Sequence, residues 1–366
     1  MKVLIINSVC GIGSTGRICT DLARSFETSG DEAKIAYGRV GAVPENFKKY
    51  SVRIGTDFDV KLHAVYTRIT DKHGFGSKIA TKKFLKWANE YNPDLLWLHN
   101  LHGYYINIEM LFDWIKSRPN MEVRWTLHDC WAFTGHCTHF SFAECEKWKS
   151  ECNNCIQKRK YPASYVKDNS KQNFEEKKRI FTNVKNLKLI TPSNWLAELV
   201  KKSFLKEYPV EVVRNKIDTD IFKPTPSNFR YRYKLESKRI ILGVANVWNE
   251  RKGYSDFLKL SKLIDDNFVI VLVGVSKKQM KKLPGNIIGI PRTESKKELA
   301  EIYTEADVFI NPTYEDNYPT VNLEAQACGT PCITYNTGGS VETVSKNNVV
   351  KQGDICALLK AISTII

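Results

Sequence analysis

The sequence lacks any apolar run that approaches the ~18 residues that a membrane-spanning helix needs. Residues 1–8 also lack the marks of a signal peptide, because they carry a single lysine, a very short apolar run and no small-residue cleavage site. A glycine-rich loop follows them, so this segment predicts a first β-strand. We therefore expect a cytoplasmic protein.

Acidic residues are scarce relative to basic ones. The chain has 40 Asp and Glu against 55 Lys and Arg, which gives a formal net charge of +15. The imbalance is concentrated between residues 156 and 188, which hold ten basic and three acidic side chains. Such a segment attracts anionic lipid headgroups, phosphorylated acceptors or nucleic acid, although a solvated helix face in a basic protein is an equal alternative.

Length and composition indicate a soluble globular protein with more than one domain. The chain has 366 residues, of which 42% are hydrophobic and 26% are charged. Apolar β-branched segments alternate with amphipathic helical segments in both halves, which predicts parallel sheets covered by helices. Pro224 and Pro226 predict a linker. We expect an α/β fold of two Rossmann-like, doubly wound domains, residues 1–222 and 223–366.

The first predicted strand leads into a glycine loop. The motif G-x-G-x-x-G, with Gly13 at its centre, precedes a predicted helix at residues 17–29 and is the fingerprint of dinucleotide binding. That fingerprint expects an acidic residue at the end of the next strand, whereas the strand at residues 32–37 is followed by Arg39. An arginine suits a 2′-phosphate, so the motif leaves open an NADP-dependent enzyme.

Three histidines lie at the ends of predicted strands. Residues 94–99 and 121–127 form apolar strands that lead to His99, His102 and His128. Because ligands bind at the carboxyl ends of strands in open α/β sheets, these side chains are candidates for a site. The alternative is that each is an ordinary loop histidine whose ring nitrogens form hydrogen bonds with neighbouring residues.

Two further turns supply polar groups at strand ends. Ser193 follows a strand and predicts a helix N-cap. In the second half, Arg251 and Lys252 follow the strand at residues 239–244 and precede a predicted helix at residues 254–264. There they offer positive charge to a diphosphate, with a plain pair of surface cations as the alternative.

Cysteines are concentrated in one segment, since five of the ten lie between residues 130 and 155. The last four have the spacing C-x7-C-x6-C-x2-C and could bind a structural zinc ion or an iron–sulfur cluster, with His136 or His139 replacing one thiolate. Free thiols remain an alternative, and disulfides are rare in the cytoplasm. The four candidate ligands are Cys137, Cys145, Cys152 and Cys155.

The stretch from residue 310 to residue 340 carries the strongest signal for ligand binding. A strand at residues 307–310 leads through a polar turn to a helix that begins at about residue 320 or 321 and ends at residue 328. The N–H groups at the start of this helix point at the turn, where the helix dipole favours an anion such as a phosphate. Asp316 in the turn and Glu324 in the first helical turn could accept hydrogen bonds from hydroxyls of that ligand. The dipole alone also stabilises a first-turn carboxylate, by ~0.3–1 kcal/mol.

This stretch resembles the donor site of the retaining GT-B glycosyltransferases of the family 4 type. In that family two acids separated by seven residues are followed by A-x-A-C-G-x-P, matched here by Asp316, Glu324 and residues 325–331. Glu315 adjoins Asp316 and is the reserve for the first acid. Residues 128–135 match H-D-x-W-x-F-T-G, which some members show before a similar four-cysteine insertion.

The resemblance implies roles in donor binding. His128 would hydrogen-bond the donor sugar, Asp316 would lie near that sugar and Glu324 would hold the ribose. Backbone amides at the helix start and in the glycine loop would meet the sugar and the diphosphate. The two domains would face a cleft, with the acceptor on the first and the donor on the second. The remaining donor-binding candidates are Gly13, Ser193, Asn246, Asn317, Tyr318, Pro319, Thr320 and Val321.

The resemblance also implies that no cofactor is required for catalysis. Lys252 and Arg251 would stabilise the leaving diphosphate together with helix N-termini. Asn246 stands where the family has an arginine, so either Arg251 supplies the missing guanidinium or the leaving group is stabilised more weakly. The candidate zinc ion would be structural and would fix an insertion at residues 130–155.

The implied activity is the transfer of a hexose, with retention, from a UDP- or GDP-sugar to a hydroxyl. The acceptor would be a lipid-linked sugar or a growing lipopolysaccharide or capsule polysaccharide, at the inner face of the cell membrane. Two other functions fit parts of the sequence: an NADP-dependent oxidoreductase, and a non-enzymatic, zinc-stapled nucleic-acid binder that uses the basic segment. Neither explains residues 316–331, and we expect no nucleic-acid partner.

Overall fold

The computed structural model describes residues 1–39 and 41–366, and this part of the chain divides into two units. Unit 1 spans residues 1–213 and unit 2 spans residues 214–366. The division lies before the boundary expected after residue 222. The reason is that Phe222 is buried in a core of unit 2, where its ring centroid lies 6.3 Å from that of Tyr303.

Unit 1 contains a seven-stranded parallel sheet in the order β3-β2-β1-β4-β5-β6-β7. The strand order reverses between β1 and β4, which is the doubly wound arrangement expected from the sequence. The strands are β1 (Lys2–Ile6), β2 (Glu32–Tyr37), β3 (Ser51–Arg53), β4 (Leu95–Leu98), β5 (Glu122–Thr126), β6 (Leu187–Thr191) and β7 (Val210–Val212).

Helices connect these strands. The α-helices of unit 1 are α1 (Gly13–Thr28), α2 (Asp57–Thr70), α3 (Lys78–Tyr91), α4 (Ile108–Lys116), α5 (Ser170–Phe181) and α6 (Asn194–Lys201). Short 3-10 helices occupy Glu45–Tyr50, Trp131–Phe133 and Lys147–Lys149.

Unit 2 contains a six-stranded parallel sheet in the order β10-β9-β8-β11-β12-β13. Its strands are β8 (Arg239–Val244), β9 (Phe268–Val273), β10 (Ile287–Ile290), β11 (Val308–Asn311), β12 (Cys332–Tyr335) and β13 (Val349–Val350). Its α-helices are α7 (Phe229–Tyr233), α8 (Tyr254–Leu260), α9 (Lys277–Met280), α10 (Lys296–Glu305), α11 (Thr320–Ala327) and α12 (Ile355–Ile365). Its 3-10 helices are Glu250–Lys252, Gly338–Thr343 and Lys346–Asn348.

Successive side chains of the central strands enter different cores. In β1, Leu4 and Ile6 pack into one buried cluster, whereas Val3 and Ile5 pack into another on the opposite face of the sheet. The side chains of β8 alternate between two clusters of unit 2 in the same way. Because both faces of each sheet are covered, these strands are apolar throughout rather than alternately polar.

Several helix boundaries differ from the sequence expectations. The first helix begins at Gly13 rather than near Arg17, so the glycine motif is partly helical. Gly16 lies in the first turn of this longer helix, next to Val9. The absence of a side chain avoids crowding there, because a Cβ at Gly16 would lie 3.1 Å from Cγ2 of Val9. The helix expected at residues 254–264 ends at Leu260. The sequence patterns give no prediction for α2 and α3. None of the helices within the described residues combines the length and the apolarity of a membrane span.

Candidate functional site

The candidate donor residues of unit 2 gather at the carboxyl ends of β8 and β11. These two strands are neighbours at the centre of the sheet, where the strand order reverses. The loops at residues 245–253 and 312–319 follow them directly. Loops diverge at such a reversal and leave a crevice, which is where open α/β sheets bind ligands.

A salt bridge joins the two loops. The Nζ atom of Lys252 lies 2.6 Å from Oδ2 of Asp316, and both side chains are largely but not fully buried. The other carboxylate oxygen of Asp316 accepts a hydrogen bond of 3.3 Å from the backbone N–H of Tyr318. The sequence named both charged residues, but nothing in their spacing predicted their pairing. A cation and a carboxylate are thus held together at the edge of the crevice.

The backbone around this salt bridge is fixed by contacts between the loops. Arg251 Nη1 donates to the carbonyl oxygen of Glu315 at 3.2 Å, and the Arg251 carbonyl accepts from the N–H of Tyr314 at 2.8 Å. Gly253 has φ +73°, and a Cβ there would lie 2.2 Å from the carbonyl oxygen of Pro312. Only glycine allows this close approach. Arg251 therefore positions the loop of Asp316, and its expected contact with a diphosphate stays a prediction.

A third loop, after β12, supports Asp316 from another side. Gly339 donates its N–H to the carbonyl oxygen of Asp316 at 3.1 Å. At Gly338, where φ is +49°, a Cβ would lie 2.1 Å from the same carbonyl oxygen. The hydroxyl of Thr337 donates to the carbonyl oxygen of Tyr314 at 2.9 Å. Three loops therefore determine where the Asp316 carboxylate lies.

Asp316 and its neighbour Glu315 are placed differently. Glu315 is buried, with 3% of its surface exposed, whereas 19% of the Asp316 side chain is exposed beside Lys252. Asp316 is thus the more accessible of the two acids. The role of either acid in sugar binding stays a prediction.

Helix α11 begins at the crevice, as expected. Pro319, which has no side-chain acceptor, occupies the N-cap position, so the first N–H groups depend on other partners. The buried Asn322 anchors the helix, because it accepts from Asn311 Nδ2 at 2.8 Å and donates to Thr343 Oγ1 at 2.8 Å. The helix N-terminus is therefore held rigidly at the carboxyl end of β11.

One expectation about α11 is wrong. Glu324 lies in the second helical turn rather than the first, because the helix begins at Thr320, the earlier of the two expected starts. The hydroxyl of Tyr303 donates to Glu324 Oε2 at 3.2 Å. Burial raises the pKa of Tyr303 well above its ordinary value, and the neighbouring Glu324 carboxylate raises it further. Favourable interaction with the helix dipole is therefore a weaker explanation for this carboxylate than the sequence suggested.

The remaining donor candidates of unit 2 fall into two groups. The turn before α11 is mostly buried, and Asn246 is exposed in the loop after β8. The buried members of the turn are Asn317, Tyr318 and Pro319, followed by the half-buried Thr320 and Val321. All of them lie on the two loops that carry Lys252 and Asp316 or at the start of α11.

In unit 1, two candidate histidines contact each other. His99 Nδ1 lies 2.9 Å from His128 Nε2, and the rings stack with centroids 5.2 Å apart. Burial lowers the pKa of His128 to about 4 and that of His99 well below its ordinary value. Both rings are thus neutral at pH 7, and His128 can serve as a hydrogen-bonding group but not as a cation.

The third candidate, His102, belongs to a chain of hydrogen bonds. Its Nε2 lies 2.7 Å from Oδ2 of Asp129, and its Nδ1 lies 3.1 Å from the hydroxyl of Tyr161. Burial raises the pKa of Asp129, but the charge and hydrogen bond of His102 outweigh it and hold the pKa at about 2. His73 and Tyr104 pack beside this chain, with ring centroids 4.6 Å apart.

Sequence reasoning missed His73, Tyr104 and Tyr161. They come from the turn after α2, the loop after β4 and the segment after the cysteines, and only the fold brings them together. A signal was available for Tyr104 alone, since it follows His102 in the same strand-end loop.

Two donor candidates of unit 1 lie at other strand ends. Gly13 has φ +65° at the start of α1, and a Cβ there would meet no atom within 4 Å among the described residues. Ser193 caps α6 as predicted, because its side chain accepts from the N–H of Leu196 at 3.2 Å. A role in donor binding stays a prediction for both.

The four candidate metal ligands line one cavity of about 210 Å³. Cys137 and Cys155 form a thiol hydrogen bond that lowers the pKa of Cys155 to about 7, and Cys152 Sγ accepts from the N–H of Gly135 at 3.3 Å. Within the described part of the chain, no group of three or more His, Cys, Asp or Glu is placed so that it could hold a metal ion. All four are free cysteines in this arrangement, and the metal site stays a prediction.

One member of the basic segment was misjudged as a surface charge. Lys177 is buried, and its Nζ donates to the carbonyl oxygens of Trp131 at 2.8 Å and Thr134 at 3.0 Å. Burial lowers its pKa to about 7. It holds the segment after β5 against α5. Three other cations of the segment form ion pairs: Lys171 with Glu151, Arg179 with Glu109 and Lys188 with Glu211.

Comparison with known proteins connects the second half of the chain with a family. Residues 227–366 match the family described as "Glycosyl transferases group 1". Over 262 residues the chain is 23% identical to the putative colanic acid biosynthesis glycosyl transferase WcaC of Escherichia coli K12. This match covers 70% of the chain and 63% of the relative, so the chain spans less than two thirds of that relative's length.

Solved structures share the fold of both units. Sucrose-phosphate synthase from Thermosynechococcus elongatus superposes with a TM-score of 0.72 at 17% identity, covering 100% of this chain and 89% of that one. Anabaena HepE in complex with UDP-glucose gives a TM-score of 0.65 at 14% identity, with the same coverage. The expected fold is confirmed: the chain has two Rossmann-like α/β units, and its structural neighbours are GT-B glycosyltransferases. These matches favour neither an oxidoreductase nor a nucleic-acid binder.

Proposed function

We propose that this chain is a retaining glycosyltransferase of the family 4 type. It transfers a hexose from a UDP- or GDP-sugar to a hydroxyl of a lipid-linked or saccharide acceptor in the synthesis of a surface polysaccharide. Unit 2 binds the donor and unit 1 binds the acceptor. The transfer takes place in the cytoplasm at the inner face of the cell membrane.

One observation carries the proposal. The Lys252–Asp316 salt bridge lies at the strand-order reversal of unit 2, next to the N-terminus of α11, within the residues that match the glycosyl transferase family. A nucleotide sugar presents a diphosphate and several hydroxyls. The helix N-terminus and the lysine suit the diphosphate, and the carboxylate suits the hydroxyls.

The proposed reaction replaces one bond at the anomeric carbon by another on the same face. The bond to the diphosphate breaks and its electron pair stays on the phosphate oxygen. The acceptor oxygen bonds to the carbon, and its proton passes to the departing diphosphate. Negative charge therefore grows on the diphosphate, where Lys252 and the α11 N–H groups lower its energy.

The other residues take positioning roles in this proposal. Glu324 accepts hydrogen bonds from the ribose hydroxyls and is held in place by Tyr303. Asp316 accepts from a sugar hydroxyl after Lys252 turns toward the diphosphate. His128, which is neutral at pH 7, hydrogen-bonds the sugar. Arg251 acts mainly by holding the loop of Asp316.

Thermal-shift measurements with nucleotides test the proposal. A ligand that binds the folded chain at a concentration 100-fold above its dissociation constant stabilises it by about 2.7 kcal/mol. We expect a rise in melting temperature with a UDP- or GDP-sugar and none with NADP⁺. The structural neighbour crystallised with UDP-glucose makes UDP-sugars the first to test. A shift with NADP⁺ alone would contradict the proposal.

A variant of Glu324 locates the binding site. Glu324→Gln keeps the size of the side chain and an acceptor for Tyr303 but removes the charge that favours two ribose hydroxyls. We expect the nucleotide-induced shift to shrink by the loss of about 1.5–3 kcal/mol, the range for hydrogen bonds to charged groups. Glu301→Gln on the neighbouring α10 is the matched control, and an equal loss in both variants would contradict the assignment.

A further inference from the structure

Helix α2 of unit 1 has an apolar outer face. Its inner residues Val60, His63 and Thr67 are buried. Phe58 is 71% exposed and Leu62 is 58% exposed, and three more large apolar residues of the helix are exposed with them. These three are Val65, Tyr66 and Ile69. With ~100° between successive helical residues, the five fall within an arc of roughly 100°.

A neighbouring segment extends this face. The backbone N–H of Tyr165 donates to the carbonyl oxygen of Arg68 at 2.8 Å, and the N–H of Lys167 donates to that of Ile69 at 3.1 Å. Tyr165 is 59% exposed and Val166 is 64% exposed. They therefore continue the apolar surface beyond the end of α2. We call Phe58, Leu62, Val65, Tyr66, Ile69, Tyr165 and Val166 the α2 face.

The charges around the α2 face are positive. Lys61, Arg68 and Lys167 are exposed beside it. The acidic residues of the helix are at its first turn, where Asp57 pairs with Arg53 and Asp59 completes the N-cap. Next to the helix end, Asp71 is fully buried against His136. The solvent side of α2 from residue 60 onward thus combines exposed apolar side chains with cations.

We propose that the α2 face docks on a membrane surface that contains anionic lipids. Contiguous exposed apolar surface of this extent marks an interaction site. A helix with aromatic and aliphatic residues on one side and lysine or arginine beside them lies in the plane of a bilayer interface. Each cation near an anionic surface adds about 1 kcal/mol, a roughly fivefold gain in binding.

The same charges argue against a second copy of this chain as the occupant. A twofold interface places the same patch on both partners, so Lys61 and Arg68 would face Lys61 and Arg68. Like charges brought together in this way oppose association. An anionic lipid surface offers the complementary charge instead.

Docking would also bring the polar cluster of unit 1 close to the membrane. His63 on the inner side of α2 forms a hydrogen bond of 2.9 Å with Ser77, and its ring centroid lies 5.9 Å from that of Tyr104. Tyr104 packs against His73, whose ring centroid lies 6.1 Å from that of His102. If the proposed function holds, this cluster would meet the hydroxyl of a lipid-linked acceptor. The docking itself rests only on the α2 face.

Vesicle flotation with the full chain tests the inference. The probes are vesicles of phosphatidylcholine alone and of phosphatidylcholine mixed with phosphatidylglycerol. We expect binding to the mixed vesicles that weakens as salt is added, because salt screens the cations. Failure of the wild-type chain to bind the mixed vesicles at low salt would overturn the proposal.

Two double variants separate the apolar and the charged contributions. Leu62→Ser with Ile69→Ser should lower the partition coefficient between vesicles and water by roughly 30-fold. The reason is that two aliphatic side chains, each about half buried in the bilayer interface on docking, are lost. Lys61→Ala with Arg68→Ala should lower it by roughly 25-fold on mixed vesicles and have little effect on phosphatidylcholine. Unchanged binding by the first variant would overturn the assignment to the α2 face.

Matched controls lie in unit 2. Leu263 and Met280 are exposed apolar residues that do not belong to the α2 face, and their double replacement by serine should leave vesicle binding unchanged. Sedimentation tests self-association: a wild-type dimer that becomes monomeric with Leu62→Ser and Ile69→Ser would assign the face to a second copy and overturn the proposal. If nucleotide sugars produce no thermal shift in the wild-type chain, that result contradicts the proposed function. It does not affect the conclusion from vesicle binding.

Discussion

Replacement of Lys252 is the sharpest test of the chemistry assigned to unit 2. The change Lys252→Met keeps the apolar stem of the side chain and removes the ammonium group that lies 2.6 Å from Asp316. Because 23% of the lysine side chain and 19% of the aspartate side chain are exposed, this ion pair is partly solvated. We expect the free energy of unfolding to fall by only about 1–2 kcal/mol.

The expected effect on turnover is larger. If the ammonium group stabilises the charge that grows on the diphosphate, its loss resembles the removal of one preorganised donor, which costs about 10²–10³ in rate. That corresponds to about 3–4 kcal/mol of activation free energy. The lysine would then contribute more to the transition state than to the folded state.

The assay is the release of nucleoside diphosphate from the donor that gives the largest thermal shift. Lys259→Met is the control, because Lys259 also forms an ion pair within unit 2, 3.0 Å from Asp256, but its side chain is 60% exposed. We expect the control to keep its turnover. Lys252→Met with unchanged turnover would refute the proposed stabilisation of the leaving group. A loss of stability as large as the loss of activation free energy would show that the pair is mainly structural.

Two further predictions concern the loop scaffold and the buried histidines. Gly338→Ala should destabilise the chain by at least about 2 kcal/mol and weaken nucleotide binding, because the new Cβ would lie 2.1 Å from the carbonyl oxygen of Asp316. Gly329→Ala, also at positive φ but with 3.8 Å to its nearest neighbour, should cost only about 1 kcal/mol in urea unfolding, and equal losses would contradict the steric explanation. Burial lowers the pKa of His63 to about 4, so its contribution to stability is present above pH 6.5 and is lost as the pH falls toward 4. Between pH 7 and pH 5 this loss is about 2 kcal/mol, and urea unfolding of His63→Gln should show a smaller decrease; equal pH dependence in both proteins would contradict it.

The pH prediction for His63 has a structural cause beyond burial. Its Nε2 accepts hydrogen bonds from the N–H groups of Gly74 at 3.3 Å and Gly76 at 3.2 Å. A protonated ring has no acceptor at that nitrogen, so protonation would remove both hydrogen bonds. The turn between α2 and α3 is therefore expected to loosen first on acidification.

Much of the fold could be predicted from local pattern. The strands expected at residues 32–37 and 239–244 coincide with β2 and β8. In β8 the apolar run at residues 240–242 suits a strand that is covered on both faces. Ser193 was predicted as an N-cap and caps α6. Helix α2 was not predicted, since it exposes apolar side chains where a globular helix would expose polar ones.

The candidate site was predictable only in part. Asp316, Glu324 and Lys252 could be named because motifs place them next to strand ends. Their neighbours could not, since the residues that hold Asp316 follow three different strands. Lys177 shows the limit most clearly: in the sequence it is one lysine in a basic run, yet its ammonium group is buried against two carbonyl oxygens.

The sequence by itself determined the alternation of strands and helices, the parallel α/β class and the strand ends at which polar residues gather. These properties depend on periodicity and capping within short segments, where neighbouring residues interact directly. Only the tertiary structure decided that Lys252 meets Asp316, that His102 joins Asp129 to Tyr161 and that α2 keeps an apolar face in solvent. These contacts depend on the order of strands in each sheet, which brings distant segments together and which no local pattern records.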